Sequence, residues 1–311
     1  MMLTFPVVAG VLEQGLVYSL MALGVFITFR ILAFPDLSVD ATFPLGAAVC
    51  AKMITSGYDP FLALIVSLAA GLIGGLLTGL LNTKLKISSL LAGILTMTAL
   101  YSVNLRIMGR ANIPLLRQPT FITILEETGL PQQYVPLLFF FSLVLIVKLV
   151  LDWFLHTEIG FALRATGDNP QMIRSLGVNT DAMKVLGLAL ANGLVALSGG
   201  LVAQYQGFAD VGMGIGTIVA GLASVIIGEV LLHPQSVVMQ VLSVIVGSMI
   251  YRLAIFLALR LGFAPTDLKL VTAVLVIIAL AAPNLSRSRR QSKLLARLGK
   301  GVVNGVKPGG N

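Results

Sequence analysis

The stretch Leu163-Arg-Ala-Thr-Gly-Asp-Asn-Pro-Gln-Met-Ile-Arg-Ser-Leu-Gly177 is a polar segment between two long apolar runs, residues 135–155 and 184–206. Each run has about the 20 residues that a helix needs to cross the hydrocarbon core of a bilayer. The polar character continues through Val-Asn-Thr-Asp at 178–181, and residues 163–181 are termed the polar island. The pattern predicts that the island lies in water, against one side of a membrane.

The composition is that of a membrane protein. Of the 311 residues, 57% are hydrophobic and only 11% are charged, whereas soluble domains carry about 25% charged residues. Apolar residues run continuously through each segment, unlike the alternation of a membrane β-barrel. Because a backbone in lipid must satisfy its own hydrogen bonds, we expect an all-α, polytopic bundle of membrane helices.

About nine segments have the length and apolar character of a span, and counts of about eight or ten stay open. The first has no basic residues before it, which favours a span over a signal peptide. The predicted spans are residues 7–29, 39–56, 60–83, 88–106, 135–155, 184–206, 215–232, 236–259 and 268–283.

Basic residues crowd the end of the chain, which divides it into a membrane domain (1–286) and a basic tail (287–311). Basic segments next to spans favour the cytoplasmic side, so the tail and the polar island are predicted to be cytoplasmic. A tail near anionic lipid headgroups is favoured over nucleic-acid binding. The tail cations are Arg287, Arg289, Arg290, Lys293, Arg297, Lys300 and Lys307.

A faint internal repeat links the two halves of the chain. Gly74-Gly75 followed by Ala92-Gly93 resembles Gly199-Gly200 followed by Ala220-Gly221. In the predicted topology the second segment of each pair runs in the opposite direction to its counterpart, as an inverted repeat requires. Chance matching of small residues is the alternative.

The largest predicted outer loop covers residues 107–134. Within it, residues 121–127 (Phe-Ile-Thr-Ile-Leu-Glu-Glu) favour a short helix on the outer surface. Loops of this length between spans are often functional. A disordered connector is the other interpretation.

The polar island contains the signals of one short, capped helix. Asn169 suits a helix N-cap, and Pro170 suits the first helical position. Gly177 suits the left-handed residue that ends a helix. Met172, Ile173 and Leu176 share one face. That face rests on the bilayer or docks into a groove on a partner protein, and the residues leave both open.

Three polar residues stand where the second predicted span begins: Asp36, Ser38 and Asp40. They suit a polar lining at a cytoplasmic gate, or simply the dipole of a helix N-terminus. Arg30 is a candidate partner for one of the two aspartates. Near the inner end of the seventh span, Glu229 is a candidate partner for a basic residue of the island, or a snorkelling acid.

Polar groups toward the outer ends of spans are candidates for lining a solute pathway, namely Asn104, Gln204 and Gln206. Interhelical hydrogen bonding is an equally good explanation for each. The two histidines form no cluster with metal-ligand spacing, so no metal site is predicted. The single cysteine, Cys50, is interpreted as a packing residue.

Several motifs together resemble one transporter family, the permease subunits of bacterial ABC importers for branched-chain amino acids and ribose. The likeness covers most of the chain and is strongest to single-permease systems, some of which handle aromatic amino acids. The motifs are Arg164 with Ala165-Thr-Gly-Asp-Asn169, Leu176-Gly-Val-Asn179, Leu197-Ser-Gly-Gly-Leu201, Asp36-Leu-Ser-Val39 and Ile87-Ser-Ser-Leu-Leu-Ala-Gly93.

The resemblance implies that the island is the coupling helix, which fits a cleft of a cytoplasmic ATPase. It also implies a homodimeric, multi-pass protein of the bacterial plasma membrane, served by an external binding protein. One departure is Asp40, which stands where the family has glycine, so substrate chemistry need not carry over from the ribose branch. The coupling residues implied are Asp168, Asn169, Pro170, Gln171, Met172, Ile173, Arg174, Leu176 and Gly177.

The sequence has no G-x-x-x-x-G-K-[ST] loop for nucleotide phosphates. ATP and Mg²⁺ are therefore expected on a separate ATPase subunit, and no enzymatic activity is predicted for this chain. The expected solute is an amino acid or a related compound, with a nucleoside or a sugar as the alternative. An ATP-independent secondary transporter or channel is the rival function.

Overall fold

The computed structural model describes residues 5–126 and 134–264, and beyond them residues 267, 268, 270–274, 276 and 277. A π-helical turn, Ile27–Ile31, extends the first helix, and two short strands, β1 (Asn112–Pro114) and β2 (Phe208–Asp210), pair antiparallel. The helices are α1 (Phe5–Phe26), α2 (Val39–Thr55), α3 (Pro60–Thr83), α4 (Ser89–Met108), α5 (Phe121–Glu126), α6 (Val135–Leu155), α7 (Glu158–Asp168), α8 (Pro170–Ser175), α9 (Thr180–Gln206), α10 (Thr217–Leu232) and α11 (Val237–Arg260).

The predicted bundle of membrane helices is confirmed. Within the described part of the chain, six helices are long and apolar enough to cross a membrane: α1 with its π-helical turn, α3, α4, α6, α9 and α11. The predicted second and seventh spans are the shorter helices α2 and α10, with 17 and 16 residues. The ninth is helical at 268, 270–274, 276 and 277, and its other residues and the tail at 287–311 lie outside the described residues.

The centre of the bundle is the contact between α2 and α9, which run parallel. A Cβ atom on Gly46 would lie 1.9 Å from the carbonyl oxygen of Ala196, and one on Gly199 would lie 1.9 Å from that of Phe43. Glycine at both positions therefore lets the two backbones touch, as small residues do in membrane helix pairs.

Helix α3 packs on another side of α9 and runs antiparallel to it. A Cβ on Gly71 would meet the carbonyl of Asn192, one on Gly75 that of Leu188, and one on Gly79 the Cα of Val185. These glycines form the close seam between the two helices. Gly74 lies outside that seam and faces side chains of α2 and α4, with the Leu100 Cδ1 atom 3.5 Å from its would-be Cβ.

The strand pair fixes the relative directions of the helices. β1 follows α4, and β2 lies between α9 and α10, with Ile113 opposite Ala209 in the pair. The end of α4 and the start of the segment leading to α10 are thus on the same side of the molecule, so α4 and α10 run in opposite directions. That is the direction the inverted repeat requires, and the repeat itself stays a prediction.

The predicted short helix of the outer loop is present as α5. It does not simply rest on the surface: Phe121 is fully buried, stacks on Phe139 with ring centroids 4.5 Å apart, and meets Phe140 edge-on at 5.5 Å. The part of the loop up to 126 is therefore anchored in the bundle, which excludes a wholly disordered connector. Residues 127–133 lie outside the described residues.

Candidate coupling helix and interior polar groups

The caps predicted for the island helix are present in α8. The Asn169 side-chain oxygen accepts a hydrogen bond from the Met172 amide at 3.0 Å, and Pro170 occupies the first helical position. Gly177 has a φ of +87°, the left-handed conformation that only glycine adopts at low cost. The helix is short and ends at Ser175, so Leu176 is its C-cap residue.

A second helix, α7, precedes α8 and was not predicted. Asp168, assigned to the coupling helix from the resemblance, is instead the last residue of α7. Thr157 caps α7 by accepting a hydrogen bond from the Gly160 amide, and Leu163 on its inner face is fully buried. Its sequence, Glu-Ile-Gly-Phe-Ala-Leu-Arg-Ala-Thr-Gly-Asp at 158–168, mixes apolar and polar residues, and an amphipathic helix this short gives only a weak periodic signal.

Helix α7 is fastened to the end of α1. A Cβ on Gly167 would lie 1.8 Å from the carbonyl oxygen of Ile31, in the π-helical turn. Only glycine permits this contact. It places α7 and α8 on the side of the bundle where α1 ends.

The apolar face of α8 is largely exposed in the described chain. Met172 is 61% exposed and Leu176 is 67% exposed, while Ile173 is partly exposed. No residue of α8 is buried. Since a helix of this length is unstable on its own in water, its caps and its flanking helices must hold it, and its apolar side chains are available to another surface.

Arg174 ties α8 to the start of α9. Its Nε and Nη2 atoms donate to the Thr180 hydroxyl at 3.1 and 2.7 Å, and Nη2 lies 3.7 Å from Asp181 Oδ1. Asn179 caps α9 by accepting from the amides of Asp181 and Ala182. Side-chain hydrogen bonds thus join the island helix to a central membrane helix. Gln171 is exposed and points to no such contact.

Asp36 and Ser38 stand at the start of α2, where the sequence placed them, and the Ser38 amide donates to Asp36 Oδ1 at 2.9 Å. They lie deep in the bundle, where the Asn192 amide, near the middle of α9, donates to Asp36 Oδ2 at 2.8 Å. The Ser38 hydroxyl donates to Asp36 Oδ1 at 2.6 Å, and all three side chains are fully buried. The chain turns back into the bundle after α1, so α2 starts at this depth. Gly93 leaves room for that turn, since a Cβ there would lie 2.7 Å from the Leu37 nitrogen.

Asp40 caps a helix other than its own. Its Oδ1 accepts from the Thr217 hydroxyl at 3.0 Å and the Ile218 amide at 2.8 Å, and its Oδ2 accepts from the Gly216 amide at 3.1 Å. A carboxylate is well suited to the unpaired amides and positive dipole of a helix N-terminus. The residue that departs from the family pattern therefore holds α10 against α2.

The partners predicted for Arg30 and Glu229 were wrong. Both residues are paired, but with each other: Arg30 Nε lies 2.8 Å from Glu229 Oε1. Arg30 lies in the π-helical turn after α1, and Glu229 is near the end of α10. The pair therefore links those two helices on the side where α7 and α8 lie, and neither the aspartates nor the island takes part.

The three outer pathway candidates have different surroundings. Gln204 is buried and fully used: its amide donates to Cys50 Sγ and to the Pro60 carbonyl, both at 3.1 Å, and its oxygen accepts from the Phe121 amide. It is a structural tie, and Cys50 is a buried packing residue, as predicted. Gln206 is exposed where α9 ends.

Asn104 is fully buried, and its amide donates to the Ala41 carbonyl at 3.0 Å. Its Oδ1 atom has no hydrogen-bond partner among the described residues. A buried interior pair that the sequence reasoning missed is Glu13 with Tyr205, whose hydroxyl donates to the carboxylate at 2.8 Å. The only signal for it was an acidic residue inside the first apolar run.

The described residues contain no group of three or more histidine, cysteine, aspartate or glutamate side chains placed to hold a metal ion. The polar interior is made of hydrogen-bonded pairs and triplets between helices. Such groups fix helix positions in a membrane protein.

Comparison with known proteins agrees with these features. The family model "Branched-chain amino acid transport system / permease component" matches residues 7–281. A tyrosine transport system permease protein of Clostridioides difficile is 45% identical over 92% of this chain and 94% of its own length. An uncharacterized protein of Rickettsia prowazekii is 36% identical over 87% of this chain and 95% of its own.

More distant matches are consistent with the same family. An autoinducer 2 import system permease protein of Salmonella is 28% identical over 52% of this chain and 45% of its own. In fold, the chain resembles the structure of PsaBC from Streptococcus pneumoniae in complex with Fab, with a TM-score of 0.50, 16% identity, and coverage of 86% of this chain and 89% of that one. The chain belongs to the family of permease components of branched-chain amino acid transport systems.

Proposed function

We propose that this permease is the membrane subunit of an ATP-driven importer and that α8 is its contact with the ATPase. The observation that carries the proposal is the apolar face of α8, which is exposed, capped at both ends and joined to α9. A helix with its apolar face outward fits a groove on a partner protein. The chain has no phosphate-binding loop of its own, so ATP and Mg²⁺ belong to the partner.

The connections of α8 suit the transmission of force. Arg174 links it to α9, and Gly167 holds α7 against the π-helical turn after α1. Movement of an ATPase bound to α8 therefore reaches two membrane helices at once. In the proposed cycle, closure of two ATPases brings two such islands together and switches the pathway between inward- and outward-facing states, while an external binding protein delivers the solute.

The substrate class proposed is an aromatic amino acid or a closely related compound. The support is the name of the Clostridioides difficile relative, a tyrosine transport system permease, with its high identity over nearly the full length of both chains. The direct test is uptake of radiolabelled tyrosine by proteoliposomes that contain the permease, its ATPase and its binding protein. Uptake with ATP inside, and none with a non-hydrolysable analogue, is expected. Uptake without ATP would favour a secondary transporter or channel.

The proposed ATPase contact predicts the effect of charge on α8. In a variant carrying Met172→Glu and Ile173→Glu, the ATPase is expected to be lost from the affinity-purified complex, because two buried carboxylates would remain unpaired in the groove. The control is Leu261→Glu, an apolar position that is more exposed than either residue and lies just beyond the end of α11. Retention of the ATPase and of transport in the α8 variant would show that this face rests on lipid instead.

A further inference from the structure

A cavity of about 270 Å³ lies between α2, α4 and the segment that leads into α10. Its position is held by a close backbone contact, since a Cβ on Gly214 would lie 1.9 Å from the Asp40 carbonyl oxygen. The segment over the cavity is therefore fixed to α2. The lining residues are Asp40, Ala41, Pro44, Met97, Thr98, Tyr101, Asn104, Val211 and Ile215.

Two side chains that line this cavity carry hydrogen-bond acceptors. Asn104 is fully buried, its amide nitrogen is used by the Ala41 carbonyl, and its Oδ1 has no partner within the described chain. Asp40 adds a carboxylate, held in place by the amides that begin α10. A buried carbonyl oxygen without a partner is uncommon in proteins, and a hydrogen-bond donor from a ligand or a water would satisfy it.

Most of the cavity wall is apolar. Tyr101 and Met97 of α4 face the cavity with Pro44 and Ile215. Tyr101 is 50% exposed and Ile215 is 62% exposed, so the cavity opens at the surface of the subunit. Its volume lies just below the range typical of drug-sized ligands, which favours a solute of about amino-acid size.

We propose that this cavity is a transit site for a solute with a protonated amine beside an aromatic or large apolar group. The amine would donate to Asn104 Oδ1 with the Asp40 carboxylate near it, and the ring would lie against Tyr101. The chemical class rests on the proposed function, because a free aromatic amino acid has both groups. Two acceptors beside an apolar wall disfavour a sugar, whose hydroxyls need donors and acceptors around the whole molecule.

The test is photo-crosslinking with 4-azidophenylalanine on the purified permease–ATPase complex in lipid nanodiscs. Labelled peptides are expected to contain residues 97–104 or 211–216, and excess tyrosine should protect them. Met97→Trp, which fills the cavity, should lower labelling by about tenfold. The matched control is Leu95→Trp on the same helix, because Leu95 lines the separate groove between α3 and α4. Its labelling should stay close to wild type.

A second pair of variants tests the acceptor. Both Asn104→Asp and Asn104→Leu lose the hydrogen bond to the Ala41 carbonyl, so they differ in the acceptor. Asn104→Asp keeps an oxygen for the amine, whereas Asn104→Leu removes it, so labelling should survive only in the first. Labelling mapped elsewhere, absent in the wild type, or equally reduced by both tryptophans would overturn the transit site. Tyrosine uptake is measured separately. If ATP drives tyrosine import but the label maps outside the cavity, the transit site is wrong and the proposed function stands. If the cavity is labelled but ATP drives no import, the proposed function is wrong and the site stands.

Discussion

At the scale of single residues, the sequence predicted the local features of the site and missed the pairings across the fold. Asn169, Pro170 and Gly177 cap a helix through contacts with residues close to them in sequence, so the sequence alone predicted their roles. Asp36 and Asn192 are 156 residues apart, and only the packed bundle brings them together. A buried carboxylate whose partner is distant in sequence looks the same as one at a helix start.

Asp40 is another residue whose hydrogen-bond partners are distant in sequence, and the loss of these bonds can be measured. Asp40→Ala is expected to lower the free energy of unfolding by about 2–3 kcal/mol, because the amides of Gly216 and Ile218 lose a charged acceptor. Asp40→Asn should cost less, since its remaining oxygen can accept some of these bonds. Thermal unfolding of the purified permease in detergent measures both.

The control for this prediction is Asp181→Ala. Asp181 is an exposed residue in the first turn of α9, and its contact with Arg174 is long at 3.7 Å, so its loss should change stability little. An Asp40→Ala protein as stable as the wild type would mean that α10 is held by packing alone.

At the scale of elements, most spans were predicted within a few residues, because continuous apolar runs are a strong signal of helices in lipid. Two structural features could not be predicted from the apolar runs. Helix α7 is a short amphipathic segment of mixed polar and apolar residues, and packing of Leu163 holds it against the bundle. The depth at which α2 begins depends on the turn at Asp36, whose position only the surrounding helices fix.

The glycines of α3 give a test of helix packing with adjacent residues. Gly75→Ala should strongly reduce the yield of folded protein, because its Cβ would lie 2.1 Å from the Leu188 carbonyl oxygen. Gly74→Ala, one position away, should be tolerated, since its nearest neighbour would be the Leu100 Cδ1 atom at 3.5 Å. Fluorescence-detected gel filtration of tagged variants compares them. Equal yields would show that the two helices separate to accept a methyl group.

At the scale of the whole molecule, the subunit has one face that looks incomplete. The cavity beside Asn104 opens at the surface through Tyr101 and Ile215. Within a bilayer a pathway for a polar solute must be closed off from lipid, because exposed polar groups there are costly. A single copy of this chain leaves that side open, and we propose that a second copy in a symmetric dimer supplies the missing wall.

The proposed homodimer can be tested with the cysteine content of the chain. Cys50 is the only cysteine and is buried, so it should not react with a bis-maleimide. Tyr101→Cys should cross-link two permeases in membranes, because the cavity side of α4 would face its symmetry mate. Phe141→Cys is similarly exposed but lies on α6, which packs on α1 and α11, and this variant should stay monomeric on the gel. Dimers from both variants, or from neither, would contradict a dimer built across the cavity.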